Sequence, residues 1–250
     1  AGVTNKLLAQ KASKICVAYE GMNKFFPEDK IIMTGNPVRQ NLLNTVLNRE
    51  ELLQTFNFSS EKRTILILGG SLGARTINQT LIGALETIKV HQEIQFIWQT
   101  GKIYIQQVRD AIAEVTGEIM RGSSTKAIPN LYVTDFIKDM AGAYAVADLG
   151  ISRAGAGSIS EFCLLKKPVI LVPSPNVAEV HQTKNALALV NKNAAIYVKD
   201  SEAMEKLIPE ALQTVVDKNK LQELSENIYK LALPDSASII AKEVLKLIKD

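Results

Sequence analysis

Residues 65–75 read Ile65-Leu66-Ile67-Leu68-Gly69-Gly70-Ser71-Leu72-Gly73-Ala74-Arg75, an apolar strand-like run that ends in a glycine turn and leads into a helix-like segment. A helix start presents unpaired backbone N–H groups and the positive end of the helix dipole, so it attracts phosphate. The spacing fits neither the dinucleotide-binding G-x-G-x-x-G motif nor the Walker A motif. Alone, the stretch is explained equally well by a phosphate site and by a tight turn that binds nothing.

A second stretch of the same kind spans residues 149–161 and reads Leu149-Gly150-Ile151-Ser152-Arg153-Ala154-Gly155-Ala156-Gly157-Ser158-Ile159-Ser160-Glu161. Its glycines allow a ligand to approach the backbone closely, and its serines offer hydroxyl donors. Glu161 follows about one helical turn after Gly157, and a carboxylate, which only accepts hydrogen bonds, suits the paired hydroxyls of a ribose. The alternative is a glutamate that merely complements the helix dipole. We favour the ligand, and the two turns together predict a diphosphate held from two sides.

Short apolar runs alternate with helical patterns from Thr64 onward, which predicts an α/β fold with a parallel sheet covered by helices on both faces. The predicted strands are 64–68, 94–98, 130–134, 148–152, 168–173 and 195–198, and the predicted helices are 75–89, 102–118, 139–146, 157–166 and 181–192. Ligands of such sheets lie beyond the carboxyl ends of the strands. We therefore expect four loops to converge on one rim, namely the two glycine turns and residues 134–137 and 173–176.

The composition excludes several classes of protein. The net charge is only +3 over 250 residues, with no dense Lys/Arg tract, which argues against a nucleic-acid partner. No apolar run reaches the ~20 residues needed to span a bilayer. Cys16 and Cys163 lie in apolar contexts and are predicted to be small core residues in a reducing compartment. No metal-ligand pattern is present, and the start without Met indicates a piece of a longer protein.

Three further side chains are candidates for ligand contact. Arg39 follows the Asn36-Pro37 turn and Arg153 precedes the second glycine turn, and a guanidinium suits phosphate. A surface salt bridge is the commoner role for either arginine. His181 is equally well explained as a ligand contact and as a helix-start residue. The two histidines do not complete a Ser-His-Asp arrangement, so the sequence offers no general base.

Taken together, these motifs resemble the MurG family, the N-acetylglucosaminyltransferases of peptidoglycan synthesis. The resemblance rests on Ala1-Gly2-Val3-Thr4-Asn5-Lys6, on Gly35-Asn36-Pro37-Val38-Arg39, on residues 69–75 with Asn78, on residues 153–161, and on His181-Gln182-Thr183-Lys184-Asn185-Ala186. It implies the GT-B architecture, in which two Rossmann-like domains form a cleft and the C-terminal domain holds UDP-N-acetylglucosamine. It further implies an inverting transfer to the C4 hydroxyl of undecaprenyl-pyrophosphoryl-MurNAc-pentapeptide, without metal or cofactor, by a peripheral protein at the cytoplasmic face of the bacterial inner membrane.

The resemblance also implies roles for individual residues. Arg39 and Ser71 would touch the diphosphate, the 136–137 loop would meet the uracil, residues 156–160 would line the nucleotide and Glu161 would bind the ribose. Gln182, with His181 beside it, would contact the sugar. The full set of implied substrate-binding residues is Arg39, Ser71, Gly73, Phe136, Ile137, Arg153, Ala156, Gly157, Ser158, Ile159, Ser160, Glu161, His181 and Gln182. Leu72 and Val180 depart from the family pattern, which expects Gln and an acidic residue there.

The implied division is a remnant of the N-terminal acceptor domain at 1–38, a donor domain at 39–232 and a helix crossing back at 233–250. The family's proposed base would lie outside this chain, so we expect weak UDP-N-acetylglucosamine binding without turnover. The acceptor lipid and the membrane surface would be met through the N-terminal domain. Two alternatives remain open, a non-catalytic nucleotide-binding module and an enzyme of the UDP-N-acetylglucosamine 2-epimerase type. A nicotinamide oxidoreductase is less favoured because G-x-G-x-x-G is lacking.

Overall fold

Two parallel β-sheets organise the protein, whose computed structural model describes residues 2–39, 42, 48–175 and 180–248. The strands are β1 (Ile15–Val17), β2 (Ile31–Met33), β3 (Arg63–Leu68), β4 (Ile94–Gln99), β5 (Leu131–Thr134), β6 (Leu149–Ser152), β7 (Val169–Leu171) and β8 (Ile196–Tyr197). The helices are α1 (Val3–Ala9), α2 (Arg49–Thr55), α3 (Arg75–Gly83), α4 (Leu85–Val90), α5 (Ile105–Thr116), α6 (Met140–Val146), α7 (Ala156–Leu164), α8 (Val180–Val190), α9 (Ala203–Val216), α10 (Lys218–Tyr229) and α11 (Ser236–Lys246).

The larger sheet has the strand order β5-β4-β3-β6-β7-β8, with every neighbouring pair parallel. Counted within the sheet this is 3-2-1-4-5-6, the order of a Rossmann fold. The chain winds outward from β3 in one direction and then outward from β6 in the other. The strand order therefore reverses between β3 and β6, and ligands of doubly wound sheets bind beyond the strands at this point.

The core fills both faces of the larger sheet because successive side chains of a strand point to opposite sides. Ile65 and Ile67 pack with Trp98 among residues of α3, α4, α5 and α9, while Leu66 and Leu68 pack among residues of α2, α6, α7 and α8. Burying a side chain of this size removes enough apolar surface to stabilise the fold by about 1.5–3 kcal/mol. Two covered faces explain why the strands read as continuous apolar runs.

The N-terminal residues form a smaller unit of their own. β1 pairs with β2, and a separate apolar cluster of Ala9, Val17 and Phe26 lies beneath them. Near the other end of the described chain, Leu233 and Ser236 lie close against Gly35. The start of α11 thus contacts the segment that joins the two sheets.

The sequence predictions for the larger sheet are confirmed, since all six strands and their parallel pairing are present. The predicted helix over 75–89 is wrong in one respect, because it breaks at Ala84 into α3 and α4. Gly83 directly before the break weakens a helix interior. The prediction for Cys163 is confirmed by its burial, but Cys16 is exposed. Cys16 points to the opposite side of β1 from the buried Val17.

Candidate functional site

The carboxyl ends of five strands form one row across the larger sheet. The register aligns them in the order Thr134, Gln99, Leu68, Ser152 and Leu171. Leu68 and Ser152, the last residues before the two glycine turns, are direct partners in the ladder. The predicted convergence of loops on one rim is thereby confirmed for the strand ends, while Asn176 lies outside the described residues.

The first glycine turn packs backbone to backbone against the loop after β4. Gly73 and Gly101 have φ values of +83° and +82°, which favour glycine. A Cβ on Gly101 would lie 2.4 Å from the backbone nitrogen of Gly73, and one on Gly73 would lie 2.4 Å from the carbonyl oxygen of Thr100. Ser71 is exposed on this turn, and so is the neighbouring Leu72, with 73% of its surface accessible. The turn is therefore fixed on one side by the loop after β4, and its other side, with Ser71 and Leu72, is exposed.

Gln99, which is not among the predicted site residues, ties three loops of the rim together. Its buried side-chain Nε2 donates to the carbonyl oxygens of Gly70 and Asp135, at 2.9 Å in each case. Asn78 fixes Thr100, the residue after Gln99, because its Nδ2 donates to Thr100 O at 2.9 Å. The Asn78 Oδ1 in turn accepts from Trp98 Nε1. A polar residue at the carboxyl end of a buried apolar strand was the available sequence signal for Gln99.

The second glycine turn begins α7 close above the sheet. A Cβ on Gly150 would lie 2.3 Å from the Phe162 ring, so the missing side chain lets α7 approach β6 closely. Gly155 is the N-cap residue, and because it has no side chain it leaves the first N–H groups of α7 without a side-chain cap. Asn36 lies across the same helix, with its Nδ2 donating to Ser160 Oγ at 3.1 Å and to Ala156 O at 3.3 Å.

Glu161 lies at the centre of a small polar cluster beside this helix start. Tyr144 donates from its hydroxyl to Glu161 Oε2 at 2.9 Å, and Arg39 Nη2 lies 3.4 Å from Oε1. Burial, and then the neighbouring Glu161 carboxylate, raise the pKa of Tyr144 well above its usual value, so this hydroxyl stays a donor. Arg39 has 58% of its side chain exposed and Glu161 has 18%. The structure thus brings together the two residues predicted to bind diphosphate and ribose.

Arg153, which precedes the second glycine turn, is held by contacts within the chain. Its guanidinium pairs with Asp200 and donates to Val172 O, and only 18% of the side chain is exposed. Arg153 thus makes a salt bridge that is mostly buried and not on the surface, and its contact with phosphate stays a prediction. Asp200 also accepts from the Thr76 hydroxyl at 2.9 Å, so this pair joins α3 to the residues before α9.

Two isoleucines of the predicted set turn their side chains inward. Ile159 and Ile137 are 3% and 7% exposed and belong to the core, so only their backbone could face a ligand. Phe136, in contrast, is 54% exposed at the rim, and its carbonyl accepts from the Thr134 hydroxyl. At the start of α7, Gly157 is exposed and Ser158 is half-buried.

The loop after β7 is held by the start of α8. Gln182 Oε1 accepts from the backbone N–H of Ser174 at 3.1 Å, while the adjacent His181 is exposed. Gln182 thus positions this loop, and His181 remains a candidate ligand contact. The side chain of Val180 lies outside the described residues.

In the part of the chain that the structure describes, no three His, Cys, Asp or Glu side chains lie close enough together to hold a metal ion. None of the described helices combines the length and apolar character needed to traverse a bilayer.

Comparison with known proteins identifies the family. The model of the glycosyltransferase family 28 C-terminal domain matches residues 64–240, which contain the larger sheet except for Arg63, the first residue of β3. The chain belongs to glycosyltransferase family 28. Both glycine turns lie inside the part that matches the family 28 model.

Related proteins of known name agree with this membership. A Bacteroides fragilis protein named UDP-N-acetylglucosamine-N-acetylmuramyl-(pentapeptide) pyrophosphoryl-undecaprenol N-acetylglucosamine transferase is 70% identical over 247 residues, which are 99% of this chain and 62% of that protein. MurG of Acinetobacter baumannii superposes with a TM-score of 0.70 at 27% identity over 98% of this chain and 64% of its own. The UDP-GlcNAc 2-epimerase of Neisseria meningitidis, bound to UDP-GlcNAc, shares the fold with a TM-score of 0.64 at 18% identity, covering 96% of this chain and 63% of its own. The family 28 chain thus spans somewhat under two thirds of these proteins.

Proposed function

We propose that this chain is the donor-binding part of an inverting N-acetylglucosaminyltransferase. The enzyme would move N-acetylglucosamine from UDP-N-acetylglucosamine to the C4 hydroxyl of undecaprenyl-pyrophosphoryl-MurNAc-pentapeptide. The proposal divides the chain into an acceptor-domain segment at 1–38, a donor domain at 39–232 and a crossing helix at 233–250. The separate apolar cluster beneath β1 and β2 supports the first boundary.

One observation carries the proposal. The two glycine turns leave from adjacent, register-paired strand ends at the point where the strand order reverses, and each opens a helix. Two helix N-termini side by side can accept the two phosphates of a nucleoside diphosphate. Arg39 and Glu161 adjoin the start of α7, and so could contact the diphosphate and the ribose next to it.

In this arrangement, catalysis by the donor part is electrostatic. When the C4 hydroxyl attacks the anomeric carbon, its proton passes to a base outside this chain, the bond to UDP breaks and negative charge builds on the departing diphosphate. Backbone N–H groups at the starts of α3 and α7, with the Arg39 guanidinium, stabilise that charge without reorganisation. Attack opposite the leaving group inverts the anomeric centre. The proposal assigns no general base to this chain and needs no metal or other cofactor.

Calorimetric titration of the 250-residue chain with UDP-N-acetylglucosamine, UDP and NADH tests the proposal. We expect weak saturable binding of the two uridine nucleotides and none of NADH. Heat from NADH alone would contradict the donor assignment. Transfer of N-acetylglucosamine by the isolated chain would contradict the expectation that it binds donor without turnover.

The 2-epimerase alternative rests on the shared fold and on the nucleotide sugar seen in the Neisseria enzyme. An epimerase would convert UDP-N-acetylglucosamine to its 2-epimer without any acceptor. Incubation of the chain with the nucleotide sugar alone, followed by separation of the epimers, distinguishes this alternative. A non-catalytic nucleotide-binding module would bind the donor as strongly as a transferase does, but it would neither transfer the sugar nor epimerise it. Transfer of sugar by the full-length protein would exclude this module.

We further propose that the full enzyme works as a peripheral protein at the cytoplasmic face of the inner membrane. Its contacts with the lipid acceptor and the membrane would lie mainly outside this chain. Flotation of the full-length protein with vesicles, with the 250-residue chain as comparison, measures this directly. The chain alone should stay in solution.

A further inference from the structure

The carboxylate of Asp200 connects α3 to the second glycine turn. Asp200 lies in the short segment between β8 and α9, and its two oxygens have partners on different elements. Oδ2 accepts from the Thr76 hydroxyl at 2.9 Å, and Oδ1 accepts from the Arg153 guanidinium. Thr76 is the second residue of α3, and Arg153 follows β6 and precedes Gly155, the N-cap of α7. One carboxylate thus reaches the starts of both helices that the proposed diphosphate site uses.

The position of Asp200 is fixed by the core. Val198 and Ala203, which flank it in the chain, are 5% and 0% exposed and belong to the same apolar cluster as Ile77 of α3. The backbone N–H of Val198 donates to Leu171 O, at the end of β7. The Asp200 side chain itself is only 14% exposed. Moving the carboxylate would therefore disturb the packing around it.

The link to Arg153 is also rigid. Its Nη1 donates to Val172 O at 2.9 Å, so the guanidinium is held by the segment after β7 as well as by Asp200. The Arg153 side chain is 18% exposed, and water screens such a pair less than it screens a pair on the surface. Removal of Asp200 would leave the Arg153 charge mostly buried without its partner.

A fixed spacing between the two helix starts matters for a diphosphate. Neither start has a side-chain cap, since Ala74 and Gly155 are the N-cap residues, so the first N–H groups of both helices can donate to a ligand. Two linked phosphates must meet both starts at once, whereas one phosphate needs only one of them. Glycine turns have a flexible backbone, and a contact that joins the two starts restricts their relative movement.

We propose that Asp200 is a positioning residue for diphosphate recognition. It contacts no part of the nucleotide. It holds α3 through Thr76 and the second glycine turn through Arg153, so that the N–H groups of both helices face the two phosphates together. This inference rests on the proposed function, because it takes the diphosphate site between the glycine turns as given.

Calorimetric titration of the 250-residue chain with UDP and UMP tests this role. The measured quantity is the diphosphate preference, the dissociation constant of UMP divided by that of UDP. Asp200→Ala removes both contacts, so the preference should fall at least about fivefold, the lower end of typical coupling between two binding sites. The affinity for UMP should stay close to that of wild type, because one phosphate does not depend on the spacing.

Asp148 provides a matched control for the loss of a buried carboxylate. Its side chain is also 14% exposed, and it pairs with Arg49 and Arg63 directly before β6, at the opposite edge of the same sheet. Asp148→Ala should lower the melting temperature and leave the diphosphate preference unchanged.

A milder variant tests one of the two links. Thr76→Val removes only the hydroxyl that donates to Asp200, so the diphosphate preference should fall by about two- to threefold. In the Asp200→Ala background the same substitution should have no further effect, because the two residues act through one contact. Thr80→Val, on the same helix but with its hydroxyl bonded to the Thr76 carbonyl, should keep the wild-type preference.

The outcomes separate this inference from the proposed function. A wild-type chain that binds UMP as tightly as UDP would contradict the diphosphate site and, with it, the role of Asp200. A wild-type preference that persists in Asp200→Ala, or a loss of UDP and UMP affinity in equal proportion, would overturn only the role of Asp200. Tighter binding of UDP by Asp200→Ala would overturn it too. If Asp200→Ala does not fold, an unchanged preference in Thr76→Val overturns the inference.

Discussion

Replacing Glu161 by glutamine tests how the chain would hold a nucleotide. The substitution keeps the shape of the side chain and an oxygen that can accept from Tyr144, now 2.9 Å from the carboxylate. Hydrogen bonds to a charged group contribute about 1.5–3 kcal/mol and neutral ones about 0.5–1.5 kcal/mol. If the carboxylate binds the ribose hydroxyls, Glu161→Gln should lose about 1–1.5 kcal/mol, which weakens UDP about five- to tenfold.

The stability of the chain should hardly change, because Arg39 lies 3.4 Å from the carboxylate and is 58% exposed. Such exposed ion pairs contribute about 0–1 kcal/mol. Calorimetry with UDP and 2′-deoxy-UDP is the sharper measurement. The wild-type chain should prefer UDP and Glu161→Gln should lose much of that preference, while Glu86→Gln, at an exposed residue paired with Lys89, should behave as wild type. Equal UDP affinity in wild type and Glu161→Gln would refute the ribose role.

Three further substitutions have defined outcomes. Gln99→Leu should weaken UDP binding and lower the melting temperature, since two carbonyls of the rim lose their shared donor; UDP affinity equal to that of wild type would contradict the positioning role. Gly150→Ala should destabilise the chain by about 1–3 kcal/mol in urea titration, because its Cβ would meet the Phe162 ring, and Phe162→Leu in the same chain should restore part of the loss. Burial lowers the pKa of Lys167 to about 8, so the folded chain releases this proton before the unfolded one and the free energy of unfolding should rise between pH 8 and pH 10. Lys167→Met should remove that rise. Identical profiles of unfolding free energy against pH in wild type and Lys167→Met would contradict the role of Lys167.

The larger sheet could be predicted because each strand is a short apolar run bounded by turn residues. Burial on both faces makes such runs continuous, and helices between them require parallel pairing. The convergence of the glycine turns followed from the same reasoning, since parallel strands end at one edge. The prediction of Glu161 as a ribose ligand rested on its spacing from Gly157, which helical geometry fixes, and the ribose contact itself stays a prediction.

The remaining features depend on contacts between distant parts of the chain. Arg153 pairs with Asp200, 47 residues away, and nothing near either residue in the sequence indicates the partner. Tyr144 reaches Glu161 from another helix, and its place in an apolar segment resembles that of a core aromatic residue. Cys16 lies on the face of β1 opposite to the buried Val17, and which face of a strand is covered depends on what packs against it from elsewhere.

The contact between Gly73 and Gly101 has a consequence for the evolution of this rim. Each position excludes a side chain because of the other's loop, and each requires a backbone conformation that other residues avoid. A mutation at one glycine therefore has no compensating change at the other, which is already the smallest residue. Selection experiments on this chain should recover variation in Leu72 at the front of the turn, whereas the pair behind it remains invariant.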